Sequence, residues 1–250
     1  MEENNKMVSE LIFLVKPILL NAGDILQKRL KDKDKILYEA DKDIKISSDI
    51  LINDFIIEKL EKISGLPILS EENPHKNFIN RRGNYWALDP LDGSFNYLKG
   101  IPFCCISLGL WCKEEPLAGI IFDFIRNELF EGIVNGKAKL NDNPIIVSNT
   151  DTKERSVIGT GFPSFTDFSS NSLGNFILKI QEYKKVRLFG SAALSLAYTA
   201  CGRTDAYSED DIKFWDVAAG IPIVIAAGGH CNFKFKTNFK MFVHVTNGKI

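Results

Sequence analysis

Apolar residues recur along the first third of the chain at three- and four-residue steps. Leu11, Ile12, Val15, Ile18, Leu19 and Ile25 fall on one face of a helical repeat, which predicts a long amphipathic helix over residues 6–31. Ile50, Leu51, Phe55, Ile56, Leu60 and Ile63 repeat the pattern behind a Ser47-Ser48 cap and predict a second helix that stops at Gly65. Strand signals then begin at 66–70, 85–88, 103–112 and 117–124, separated by short polar or glycine breaks. A further strand at 157–159 leads to a helix at about 171–184 and a strand at 186–189. Two more helices follow, a small-residue one at 191–201 and another at 214–227. The order predicts a layered α/β fold, an α-β-α-β sandwich in two tightly packed subdomains, 1–145 and 146–250.

Composition narrows the function classes. The 250 residues carry 31 basic and 32 acidic side chains, a net charge of −1, so there is no field to draw in nucleic acid or an anionic membrane. The basic clusters Lys31-Asp32-Lys33-Asp34-Lys35 and Lys184-Lys185 read as solvated faces. Five cysteines without a C-x-x-C pair argue against a disulfide framework, and Cys104, Cys105 and Cys112 sit in an apolar run as core residues. The histidines His75, His230 and His244 lack zinc-ligand spacing. The longest stretch without Asp, Glu, Lys or Arg, Val217 to Phe233, is shorter than the ~20 apolar residues of a membrane helix, and no secretion signal opens the chain. The expectation is a cytoplasmic protein with a small partner.

Candidate chemistry concentrates in one loop. Tyr85-Trp86-Ala87-Leu88 runs into Asp89-Pro90-Leu91-Asp92-Gly93-Ser94, where Pro90 fixes its own φ and confines Asp89 to extended geometry. Two carboxylates held that close raise each other's pKa unless a cation neutralises them. Hard oxygen donors with no His or Cys in the loop favour Mg²⁺ over zinc, and Gly93-Ser94 at a helix start offers N–H groups to a phosphate. The competing reading is a polar turn whose aspartates only cap backbone groups. Glu71-Glu72 ends the short apolar strand 67–70 and brings a third carboxylate to the same sheet edge if the strands pair. Asp216 heads a small-residue helix, where an acid also complements the helix dipole.

These segments together resemble the inositol monophosphatase family. WALDPLDGSFNY (86–97) is similar to the family's first signature, WDVAAGIPIVIAAGG (215–229) to its second, and ILSEEN (68–73) to the acidic strand before them. GSAALSLAYTACGRTDAY (190–207) resembles the family's substrate-side helix and strand. The resemblance implies that Glu71, Asp89, Asp92 and Asp216 bind Mg²⁺, two or three ions, through their side chains and Leu91 through its carbonyl. It also implies catalytic roles for Glu71, Ser94 and Asp49. Glu71 and Ser94 orient the attacking water, and Asp49 matches an aspartate supporting an outer metal. The resemblance further implies that the Gly93 and Ser94 N–H groups hold phosphate and that Asp92, Gly190, Ala192 and Glu209 face the substrate. The family usually has threonine where Ser94 stands, and Val-Thr where this chain has Ile46-Ser47-Ser48. A homodimer and inhibition by Li⁺ are further implications.

The expected activity is hydrolysis of a small phosphorylated metabolite by activated water, without a phosphoenzyme. A phosphoaspartyl mechanism needs Asp-x-Asp, whereas these aspartates stand three apart. A catalytically silent metal- or sugar-phosphate-binding protein is the reading from another class. Glu209 favours an inositol or sugar phosphate, because it would repel a nucleotide's second phosphate. 3′-Phosphoadenosine-5′-phosphate, fructose-1,6-bisphosphate and histidinol phosphate are the alternative substrates.

Overall fold

A computed structural model describes residues 2–30, 34–40, 43–74, 83–162 and 167–250; His75 and residues 31–33 of the first basic cluster lie outside these. Helix α1 (Glu2–Arg29) starts before its predicted first residue and buries Val8, Ile12, Val15, Leu19, Ala22 and Leu26. It runs through Pro17. The N–H that Pro17 lacks would have met the Phe13 carbonyl, and Phe13 lies on the exposed face where water can serve that oxygen.

An antiparallel hairpin, β1 (Ile36–Ala40) and β2 (Asp43–Ile46), precedes α2 (Ser47–Ser64). The predicted serine cap is corrected here: Ser47 and Ser48 are the first helical residues, and Ile46 is the capping position. An isoleucine cannot accept a hydrogen bond, so two acids do its work. The Ile46 N–H donates to Asp49 Oδ2 at 2.7 Å, and the Ser48 N–H donates to Asp34 Oδ1 at 3.0 Å.

Next come β3 (Ile68–Ser70), β4 (Asn84–Asp92), a short helix α3 (Ser94–Lys99), β5 (Cys105–Cys112), β6 (Glu115–Asp123), β7 (Glu128–Ile133), β8 (Ala138–Leu140) and β9 (Asn143–Ile145). They form a seven-stranded sheet in sequential order, antiparallel except for the parallel β3–β4 pair. The rest of the chain adds β10 (Val157–Thr160), α4 (Ser170–Ile180), β11 (Lys185–Leu188), α5 (Ala192–Ala200), β12 (Ala206–Lys213), α6 (Phe214–Ala218), α7 (Gly220–Ala226), β13 (His230–Phe235) and β14 (Lys240–Thr246). This second sheet has the order β11-β10-β12-β14-β13. Helix α4 ends four residues before its predicted end, and the single helix expected over 214–227 is two helices that meet at Ala219.

Alternation on the central strands places the layers. Trp86, Leu88, Ile106, Leu108, Leu110 and Ile120 face α1 and α2. Tyr85, Ala87, Cys105, Trp111 and Phe130 face the other way, onto α5, α6 and α7, which meet Tyr207, Met241, Val243 and Val245 of the second sheet. Helix α4 covers the outer side of that sheet across a cavity of about 700 Å³ between Phe176, Ile158 and Phe242. The layered α/β sandwich therefore has this helix as its fifth layer.

The contact that sets the site is the seat of α6 on the seven-stranded sheet. A Cβ on Gly109 would lie 2.5 Å from the Ala218 carbonyl oxygen, and one on Gly119 would run into the Ala219 carbonyl. Only glycine lets the strands and the α6–α7 turn approach this closely. Trp111 Nε1 donates to the same Ala218 oxygen at 2.8 Å, which ties the seat laterally.

Candidate active site

Strand pairing delivers the first acids. β3 pairs in parallel with β4, matching Ser70 to Leu88, so Glu71 and Asp89 follow side by side where the two strands end. The Glu71 N–H donates to the Leu88 carbonyl at 3.1 Å and extends the pairing by one residue. Asp216, at the third position of α6, reaches the same point from the opposite layer. Glu71, Asp89 and Asp216 each present a carboxylate oxygen, all within 4.8 Å of one another. Asp216 also accepts from the backbone of Lys213, the capping residue of α6. Asp49 and Asp216 thus sit at equivalent positions of their helices, each bound to its own cap.

The rest of the loop is held by its own contacts. Leu91 N–H donates to Asp89 Oδ1 at 3.0 Å. Ser94 Oγ lies 2.8 Å from the Leu91 carbonyl and 2.9 Å from Asp49 Oδ1, so its single proton can go to either. Gly93, at φ 86°, turns the chain into α3, and its Cβ position is closed off by the Phe103 and Gly190 carbonyls. The loop at Gly93 and the loop before α5 are therefore in contact. Asn96 fastens them, donating from Nδ2 to the Phe103 and Phe189 carbonyls, both at 2.8 Å.

Asp92 stands apart from the three clustered acids. Its Oδ2 accepts from Ser191 Oγ at 2.5 Å and from the Ala193 N–H at 2.8 Å, so it caps the start of α5. Cys105 Sγ points at the same oxygen from 3.8 Å. Ala192 is the first residue of α5, and Gly190 lies two residues before it. Glu209 belongs to β12 and is half-buried. It is close enough to Asp92 and Asp216 for their charges to interact.

Withdrawal from water dominates the electrostatics and pushes every one of these carboxyls up. Glu71 rises to about 8 by burial and by the charges of Glu72 and Asp49. Asp49 rises to about 7, burial outweighing its hydrogen bonds from Ile46 and Ser94. Asp92 reaches only about 6, because burial is opposed by the donors of Ser191 and of the α5 N-terminus. Asp89 and Asp216 are raised well above the usual carboxylate range by burial and then by the charge of Glu71. Burial takes Glu209 to about 8. Protons or cations must occupy such a cluster. The donor set fits Mg²⁺, being hard carboxylate and carbonyl oxygen. Among the described residues, buried Ser107 Oγ, on the residue paired with Asp89, has no hydrogen-bond partner.

Sequence reasoning missed Ser191, Asn96 and Cys105. Ser191 was legible as a helix cap, whereas the other two act across the fold and leave no local signal.

Carboxylates from the ends of β3 and β4 and from helix α6 in the adjoining layer meet at one point of a layered α/β sandwich. The chain belongs to the inositol monophosphatase family, whose profile matches residues 7–238. It is 36% identical to the Nus factor SuhB of Xylella fastidiosa, over 86% of this chain and 78% of that one. It is 31% identical to inositol monophosphatase 3 of Solanum lycopersicum, over 83% and 80% of the two chains. Among solved structures, the inositol monophosphatase from Anabaena superposes with a TM-score of 0.84 at 31% identity, covering 97% of this chain and 92% of that chain. The Thermotoga maritima enzyme superposes with 0.82 at 30% identity, covering 96% and 93%. Among the described residues, no helix is long and apolar enough to cross a membrane.

Proposed function

We propose that the chain is a Mg²⁺-dependent phosphomonoesterase acting on a small phosphorylated polyol or sugar of the inositol 1-phosphate kind. The observation that carries this reading is the convergence of Glu71, Asp89 and Asp216 within 4.8 Å. These three, the Leu91 carbonyl and the Asp92 carboxylate are the groups that would hold the metal. When bound, Mg²⁺ neutralises charge on the phosphoryl oxygens and lowers the pKa of water at neutral pH.

The chain's own groups do the rest. Ser94 Oγ accepts a proton from the attacking water as it passes its own to Asp49 Oδ1, 2.9 Å away. A carboxyl raised to about 7 can take that proton near neutral pH. Glu71 orients the same water. Among the described residues the Gly93 and Ser94 N–H groups, at the start of α3, have no hydrogen-bond acceptor and can hold phosphate oxygens. Glu209 and the Gly190–Ala192 segment face the alcohol that leaves. Glu209, its charged form favoured by Mg²⁺ on the neighbouring acids, is a hydroxyl acceptor that supports a polyol over a nucleotide with a second phosphate.

The test is Mg²⁺-dependent phosphate release from inositol 1-phosphate, fructose-1,6-bisphosphate, histidinol phosphate and 3′-phosphoadenosine-5′-phosphate. Turnover of inositol 1-phosphate above the others is the expected outcome. Release from the nucleotide alone would remove the role given to Glu209. No release from any of the four, with Mg²⁺ still bound, would favour a silent binding protein.

A further inference from the structure

Among the described residues, Lys45 is a cation with a specific carboxylate partner beside the acid cluster. It stands on β2, one residue before the cap of α2, and its Nζ lies 3.0 Å from Glu72 Oε2. The Glu72 side chain is 3% exposed, so this is a carboxylate nearly removed from water, and among the described residues its ion-pair partner is the Lys45 ammonium group. The same lysine acts on Glu71, favouring its charged form, while Glu72 and Asp49 oppose it. Among the described residues, Glu71, Glu72 and Asp49 thus share this side of the site with one cation, Lys45.

A buried carboxylate stripped of its cation either takes up a proton or recruits another cation. We propose that Lys45 is a built-in counter-cation: a positioning residue that ties Glu72 away from the metal centre and stands where an outer ion would otherwise be drawn in. The hairpin is what makes this possible. Without β1 and β2, nothing would bring residue 45 back across the end of β3 at Glu72. The consequence is a metal centre whose ion occupancy is limited by a side chain of the protein itself. This inference rests on the reading of Glu71, Asp89 and Asp216 as the Mg²⁺ ligands.

Calorimetric titration of the metal-free full chain with Mg²⁺ tests it. Lys45→Gln removes a positive charge beside a divalent cation, so the outer binding step should tighten about tenfold. Lys45→Arg should reproduce the wild-type isotherm, because the charge is kept. Glu72→Gln moves the system the opposite way, weakening Mg²⁺ binding, and the double variant should fall back near wild type. Should Lys45→Gln fail to fold, Glu72→Gln decides by itself. A Lys45→Gln or Glu72→Gln isotherm superposable on wild type overturns the proposal. Wild-type protein that binds no Mg²⁺ removes the functional reading as well. Wild type that binds Mg²⁺ and hydrolyses phosphate while the variants do not shift removes only the role of Lys45.

Discussion

Gly109→Ala tests whether the seat of α6 on the sheet positions Asp216. The added Cβ would stand 2.5 Å from the Ala218 oxygen and 2.6 Å from its carbonyl carbon, where ordinary contact begins at 3.4 Å. These are backbone atoms, so no side chain can swing aside, and α6 must lift by about 0.9 Å. Overpacking of this kind costs about 1–3 kcal/mol, a fall in melting temperature of roughly 2–12 °C for a chain of this size. Asp216 lies two residues before Ala218 in the same short helix and moves with it. A ligand displaced by about 1 Å lowers kcat on the order of a hundredfold. Gly174→Ala is the matched control: Gly174 is exposed on α4 and an added Cβ meets nothing within 4 Å, so it should leave kcat unchanged and raise stability by about 0.5–1 kcal/mol. Calorimetric melting with and without Mg²⁺, together with kcat, reads both variants. Gly109→Ala protein that melts lower yet keeps wild-type kcat would refute the coupling of seat to site.

The buried acids set a pH dependence whose sign follows from their shifts. Glu71 and Glu209 at about 8, and Asp49 at about 7, hold protons in the metal-free fold that the unfolded chain releases above its ordinary range near 4. The folded state binds more protons between about pH 4 and 8, so metal-free stability falls across that window as pH rises. Mg²⁺ needs the deprotonated ligands, so its stabilising shift should grow over the same interval; a metal-free melting temperature higher at pH 8 than at pH 6 contradicts this. Asp89→Asn and Glu71→Gln should each stay folded, melt above wild type without metal because a buried carboxyl no longer has to be neutralised on folding, and lose about 2.7–4 kcal/mol of transition-state stabilisation. More than a tenth of the activity remaining in either removes that residue from the mechanism. Ser94→Ala breaks the relay to Asp49 and should lower kcat on the order of a hundredfold with little change in KM, whereas Ser94→Thr should retain activity; equal loss in both variants counts against a proton role.

Much of this site was legible because its residues come in local runs. Glu71 ends a strand, Asp89 to Ser94 are consecutive, and Asp216 opens a helix, so each carried its own signal in the chain. The convergence itself depended on the parallel β3–β4 pair and the α6 seat, contacts that link residues far apart in sequence. The hairpin β1–β2 went unread because Ile36, Leu37 and Tyr38 are all exposed and show no buried face. The cap of α2 was misplaced by one residue because its acceptor, Asp34, lies 14 positions upstream of Ser48. The break at Ala219 has a tertiary cause in the two glycine notches, and helical periodicity alone predicts one continuous helix.

Asp216 arrives at the acid cluster from a part of the chain that begins beyond β9, while Glu71 and Asp89 lie before it. A chain cut within residues 146–152, which lie outside any helix or strand, would leave each fragment with an incomplete set of acids. Catalysis would then return only when the fragments reassociate with α6 in its seat. The three-acid cluster is in this sense a coincidence detector for the assembled molecule, and phosphate release from a split chain would report docking of the two pieces as directly as it reports chemistry.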